Sequence, residues 1–249
     1  MHTRLELNQV SLDYPIYTLS ARSLRTSVFN AAVGGKLYRK DNTPLVRALS
    51  GVSFTLNEGD RLALIGHNGS GKTTLLKVIA GIFEPTTGRI ASQGHITSTI
   101  SFGAGLDMEA SGLKNIRLLG MMRMVSKKEV ESKIDSIVEF SGLAQFIDFP
   151  VRTYSAGMIA RLMFAVTTAF DPEILVLDEW LGAGDADFFV KAADRMSSFV
   201  DQARIVVLAS HDYGLVQRVC NKVCVLDGGK VKYFGDTLTW FMRQAQNAA

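Results

Sequence analysis

Eight residues, Gly66-His67-Asn68-Gly69-Ser70-Gly71-Lys72-Thr73, constrain this chain more than any others because of what flanks them. Arg61-Leu-Ala-Leu-Ile65 in front reads as a buried strand, and Thr73 to Ala80 behind carries a helical apolar run that Gly81 closes. The octet fits GxxxxGK[ST] between strand and helix, the context that pattern requires. Its glycines let the backbone wrap until N–H groups point inward, and the helix start adds positive potential, which together suit phosphate. Lys72 then reaches the β- and γ-phosphates and Thr73 offers a hydroxyl to Mg2+, with Thr74 following on the same turn. A glycine-rich turn with a surface lysine is the bland alternative, and the flanks count against it.

Strand, loop and helix open a parallel α/β sheet, which needs length. The 249 residues allow one large or two small domains. With 47% hydrophobic and 20% charged residues, collagen-like, coiled-coil and wholly disordered classes are excluded. Cys220 and Cys224 lack CxxC spacing and are too few for a disulfide scaffold or zinc site, which fits a reducing cytoplasmic setting. Apolar runs stay well short of the roughly 18 residues that span a bilayer, and the N-terminus lacks a signal-peptide core, so neither crossing nor secretion is expected. A net charge of +3 is too small to argue for nucleic acid, and no such partner is expected. That charge is concentrated: residues 16–47 hold Arg22, Arg25, Lys36, Arg39, Lys40 and Arg47 against Asp41 alone, and with Gly34-Gly35 they read as an inserted basic loop.

The remaining pattern places further chemistry. Ile174-Leu-Val-Leu177 and Ile205-Val-Val-Leu-Ala209 are continuous apolar runs, as strands covered on both faces are. Val223 to Leu226 and Lys230 to Phe234 flank Asp227-Gly228-Gly229 as a hairpin. Between them, Ser126-Lys-Lys-Glu129 is a capping box before apolar Val130, Ile134, Ile137 and Val138, with Gly142 as the stop, so residues from about 105 to 170 read as mainly helical. Asp178 and Glu179 stand where a buried strand meets the sheet edge, where open α/β folds bind ligands. Beside a phosphate loop, Asp178 is placed to hold Mg2+ through its water shell and Glu179 to polarise an attacking water. Two solvated acids at a strand end are the alternative. Ser155 begins the helical run after Tyr154, where it attracts an anion or acts as an ordinary N-cap. His211 follows another buried strand and can bond a γ-phosphate, although a lone histidine is usually structural.

In order, the loop at 66–73, Tyr154-Ser-Ala-Gly-Met158, Asp178-Glu179 and His211 resemble the nucleotide-binding subunits of ABC transporters over about residues 5 to 235. The resemblance implies an α/β fold: a P-loop NTPase (RecA-like) core at about 1–100 and 170–249, N-terminal antiparallel β elements, and an inserted α-helical subdomain at about 105–170. It further implies a homodimer of cassettes paired head to tail, with ATP and Mg2+ between the P-loop of one copy and Ser155 and Gly157 of the other. Asp185 looks like the D-loop aspartate, His211 like the switch histidine and Tyr14 like the aromatic that stacks on adenine. No glutamine occupies the expected Q-loop region, Ile100 to Leu106. Phe102-Gly-Ala-Gly105, Asp178-Glu-Trp-Leu-Gly-Ala-Gly-Asp185 and the basic segment are similar to one subfamily, the Wzt-type ATPases that export lipid-linked O-antigen and teichoic-type polysaccharides. That likeness implies an integral membrane permease (Wzm-like) as partner, a polyprenyl-pyrophosphate-linked glycan as cargo, and a peripheral place on the cytoplasmic face of the inner membrane. The 38 residues after His211 are too few for a C-terminal carbohydrate-binding sandwich. A soluble non-transport ABC ATPase shares every catalytic motif. A P-loop GTPase or small-molecule kinase lacks support, since no NKxD-type guanine specifier occurs.

Overall fold

A computed structural model describes residues 2–15, 36–40, 43–100, 105–178 and 186–248. Glu179, Asp185, Phe102, Arg22, Arg25 and Asp41 lie outside the described residues. The chain forms two compact units.

The first unit comprises Met1–Ile100, Glu173–Trp180 and Arg204–Ala249. Strands β1 (Arg4–Pro15), β2 (Lys36–Lys40), β3 (Thr43–Asn57) and β5 (Thr87–Gln93) make an antiparallel sheet in the order β2-β3-β1-β5. Residues 36–40 and 43–47, which the charge pattern assigns to a loop, are therefore strands, paired from Lys36↔Arg47 to Lys40↔Thr43. Tyr38, Thr43 and Val46 supply β-formers that a reading based on charge passes over. A second sheet runs β10-β9-β4-β8-β7-β6, built from β4 (Arg61–Ile65), β6 (Ile96–Ser98), β7 (Ile174–Asp178), β8 (Ile205–Ala209), β9 (Lys222–Asp227) and β10 (Lys230–Asp236). All of its pairs are parallel except β9–β10, so β4, β7 and β8 end at one edge, where Asp178 pairs with Ala209 and Ala209 with Leu64. Every residue of β8 is buried, as are Ile174 to Leu177 of β7, in keeping with their unbroken apolar sequence.

Helix α1 (Lys72–Ile79) leaves the end of β4 through the glycine-rich loop and buries Leu75, Leu76, Val78 and Ile79 in the core shared by strands of both sheets. Each such side chain contributes roughly 1.5–3 kcal/mol. Helix α6 (Tyr213–Val219) follows β8, and helix α7 (Thr237–Ala248) follows β10. The β9–β10 turn has Gly228 at φ 52° and Gly229 at φ 74°, the two left-handed residues of a type I′ hairpin.

The second unit comprises Ser101–Pro172 and Leu181–Ala203, carrying α2 (Gly112–Met122), α3 (Lys127–Ser141), α4 (Ala156–Thr167) and α5 (Ala186–Gln202). Besides residues 101–172 it takes in α5. Phe188 of α5 packs edge-on against Phe140 (5.6 Å) and Phe164 (5.8 Å), and the Arg195 guanidinium lies 5.2 Å from the Phe140 ring centre. Ser126 caps α3 by accepting from the Glu129 N–H, and Gly142 ends it at φ 65°, left-handed. Among the described residues no helix is long and apolar enough to cross a membrane.

Candidate functional site

A cavity of about 350 Å³ opens at the edge where β4, β7 and β8 end, and the first unit alone lines it. Its floor is the glycine-rich loop with Asn68, Gly69, Gly71, Lys72, Thr73 and Thr74. Asp178 and His211 face it from the ends of β7 and β8, and Tyr14 from β1. The loop at 68–74 and the distant residues Tyr14, Asp178 and His211 thus converge as the parallel topology dictates, because a strand end, its following loop and the first helical turn share one edge. Ala48 and Ala209 complete the wall. Nothing in the sequence marks Ala48; Ala209 was accessible from the rule that ligands bind beyond the carboxyl ends of parallel strands.

The loop's geometry follows from its glycines. Gly71 sits at φ 106°, and a Cβ there would come within 3.0 Å of the Ala48 carbonyl and 3.2 Å of Leu49. Only glycine lets the chain turn into α1 so close to β3. As N-cap, Gly71 has no side chain to satisfy the first N–H groups of α1. In contrast α2, α3, α4 and α6 are capped by Ser111, Ser126, Ser155 and Asp212. The start of α1 therefore offers unsatisfied donors to an anion in the cavity. Lys72 is mostly buried, and its Nζ donates to the carbonyls of Gly66 (2.7 Å) and His67 (3.1 Å), which holds the ammonium at the cavity wall.

A second layer steadies this loop. The Gly229 N–H donates to the Ser70 carbonyl (2.9 Å), and the Ser50 N–H donates to the Gly229 carbonyl (2.8 Å), so the hairpin turn ties β3 to the loop backbone. Ser70 itself is fully buried. Next to the cavity, Arg47 of β3 grips Asp13 of β1 through Nε–Oδ1 (2.8 Å) and Nη2–Oδ2 (3.0 Å), fixing the register beside Tyr14. The Tyr14 ring meets Phe83 edge-on at 5.6 Å.

The hard oxygen donors Thr73 and Asp178 share the cavity with the open end of α1. Such a set suits Mg2+ held jointly with a phosphate, since that ion takes few protein ligands. Ser155 and Gly157 stand in the second unit at the start of α4, where the Ser155 hydroxyl accepts from the Met158 N–H (3.2 Å). The same hydroxyl keeps its own proton to donate.

A cleft floored by an uncapped helix start, with a lysine, a carboxylate, a histidine and an aromatic ring on its walls, defines a site of the P-loop nucleoside triphosphatase class. A family profile described as "ABC transporter" matches residues 49–182, and the chain belongs to that family as an ATP-binding, ATP-hydrolysing cassette. It is 42% identical over 230 residues to an O-antigen export system ATP-binding protein of Yersinia enterocolitica, covering 92% of this chain and 96% of that one. It is 40% identical over 198 residues to a teichoic acids export ATP-binding protein of Enterococcus faecalis, covering 80% of this chain and 44% of the longer relative. A solved ATP-binding subunit of an ABC transporter superposes with a TM-score of 0.69 at 22% identity, covering 97% of this chain and 93% of that one, which establishes the fold.

Proposed function

We propose that this cassette drives export of a lipid-linked O-antigen-type polysaccharide. The similarity to an O-antigen export ATP-binding protein along nearly the whole of both chains carries the reading. The cargo is then a glycan on a polyprenyl pyrophosphate, moved by a Wzm-like integral membrane permease, with the cassette peripheral on the cytoplasmic face of the inner membrane.

In this reading two copies form a head-to-tail homodimer around two ATP molecules. Tyr14 stacks on the adenine, Gly66 to Thr74 hold the triphosphate through loop N–H groups, and the Lys72 ammonium offsets its charge. Ser155 and Gly157 of the partner subunit close over the same nucleotide, with Asp185 alongside. Thr73 and Asp178 hold Mg2+, which neutralises charge on the phosphate oxygens when bound. Glu179 orients and polarises the attacking water, and His211 donates to the γ-phosphate oxygen region. Closure supplies the differential binding energy that advances the permease, and hydrolysis resets it.

Deleting the gene and returning wild type or Lys72→Ala tests this. Long-chain surface polysaccharide is expected to vanish on deletion, return with wild type and stay absent with Lys72→Ala, while the wild-type protein co-purifies with a multi-span membrane subunit. Unchanged surface polysaccharide in the deletion strain would reject the assignment.

A further inference from the structure

His67 occupies a position that the GxxxxGK[ST] pattern leaves unspecified, and both its ring nitrogens face oxygen. Nδ1 lies 2.7 Å from the Asn68 carbonyl, and Nε2 lies 3.2 Å from Oδ1 of Asp227 on the β9–β10 turn. A neutral imidazole carries one N–H and can serve only one of these acceptors, whereas an imidazolium serves both. The geometry points to His67 as a pH-responsive positioning residue that, when protonated, latches the phosphate loop to the hairpin turn and strengthens triphosphate binding.

The latch acts where the backbone brace already acts, since Gly229 of the same turn donates to Ser70 of the same loop. Charged groups around it pull both ways. Asp227 favours the imidazolium; Lys232, 3.5 Å from Asp227 Oδ2, competes for that carboxylate; Lys72 of α1 opposes protonation. The Asn68 carbonyl first and Asp227 second raise the His67 pKa above its ordinary value, and His67 in turn lowers that of Asp227. The latch is therefore complete below the ordinary histidine range and is lost as pH rises through the raised value. A bound triphosphate adds negative charge beside the loop, so protonation and binding reinforce each other.

The inference rests on ATP occupying this loop. The test is the dissociation constant of ATP, in EDTA to prevent turnover, measured by calorimetry on the full chain at constant ionic strength from about pH 6 to about pH 8.5. Wild type is expected to tighten toward low pH by about two- to fivefold more than His67→Gln, the range for an exposed charge contact. His67→Arg, charged throughout, should bind tightly at every pH and lose that excess slope, and Asp227→Asn should move the slope's midpoint to lower pH. If His67→Gln keeps the wild-type slope, or Asp227→Asn leaves the midpoint in place, the latch is wrong although ATP binds. Absence of ATP binding by wild type at all pH values would instead overturn the nucleotide site itself.

Discussion

Ser155 allows its structural and functional roles to be separated by substitution. Its hydroxyl accepts from the Met158 N–H at 3.2 Å, capping α4, and retains one proton, which in the proposed dimer is donated to a phosphate of the partner's nucleotide. Ser155→Ala removes both; Ser155→Asp keeps an acceptor at the cap but has no proton to give. Losing an N-cap costs about 0.5–2 kcal/mol, and this exposed bond belongs at the lower end. A chain of this size shifts its melting temperature by about 2–4 °C per kcal/mol, so Ala should melt only a few degrees lower. Aspartate caps as well as serine and gains about 0.3–1 kcal/mol from the helix dipole, so that variant should melt at or above wild type. Hydrolysis should order differently. A hydrogen bond to a charged group contributes about 1.5–3 kcal/mol, so Ala should lose about 10- to 100-fold in phosphate release, and Asp, facing the triphosphate with a like charge, at least as much. Thermal melts and steady-state phosphate release on the same preparations decide the matter. A Ser155→Asp protein that hydrolyses ATP at the wild-type rate would reduce Ser155 to a helix cap and remove the basis for the head-to-tail sandwich.

Other substitutions address the base, the brace and the core. Glu179→Gln should retain ATP binding and accumulate as a nucleotide-loaded dimer with turnover greatly reduced, seen by size-exclusion chromatography with light scattering; wild-type turnover would assign the base elsewhere. Gly229→Ala places a Cβ against the Ala48 carbonyl at a left-handed φ of 74°, and should cost about 1–3 kcal/mol in denaturant unfolding while weakening ATP binding. An unchanged unfolding midpoint would mean that the turn does not brace the loop. Burial pushes the thiols of Cys220 and Cys224 up to about 12, so at pH 8 only about one in ten thousand is thiolate. Iodoacetamide should label neither until denaturant unfolds the chain, and rapid labelling of the native protein would contradict their burial.

The parts of the fold legible in sequence were those in which residue type reports its own environment. Continuous apolar runs announced β7 and β8, Asp227-Gly228-Gly229 announced the hairpin, and Ser126 with Gly142 bounded α3. Of the expected site residues, Asn68, Gly69, Gly71 to Thr74, Tyr14, Asp178 and His211 line the cavity. The misreading of residues 36–47 has a physical cause: net charge describes solvation and says nothing of backbone pairing, and an edge strand such as β2 accommodates lysine and arginine readily. Helix α5 is hard to place from sequence for a related reason. Its aromatic contacts to Phe140 and Phe164 connect positions far apart in the chain, and no local pattern reports them.

The least legible part of the site is the brace, because it is made by backbone groups. Ser50, Gly229 and Ser70 are joined through N–H and C=O alone, and every residue but proline carries both. Only the glycine leaves a trace, and that trace is ambiguous. Gly229 is required once by the type I′ turn, which needs positive φ at both central residues, and again by the Ala48 carbonyl, which leaves no room for a Cβ. The sequence displays the first requirement and conceals the second. Asparagine or aspartate would satisfy the turn, yet either would strike β3. The closing hairpin therefore does more than end the sheet: its tight turn is the piece that allows the strand lining the cavity and the glycine-rich loop to share one hydrogen-bonded backbone.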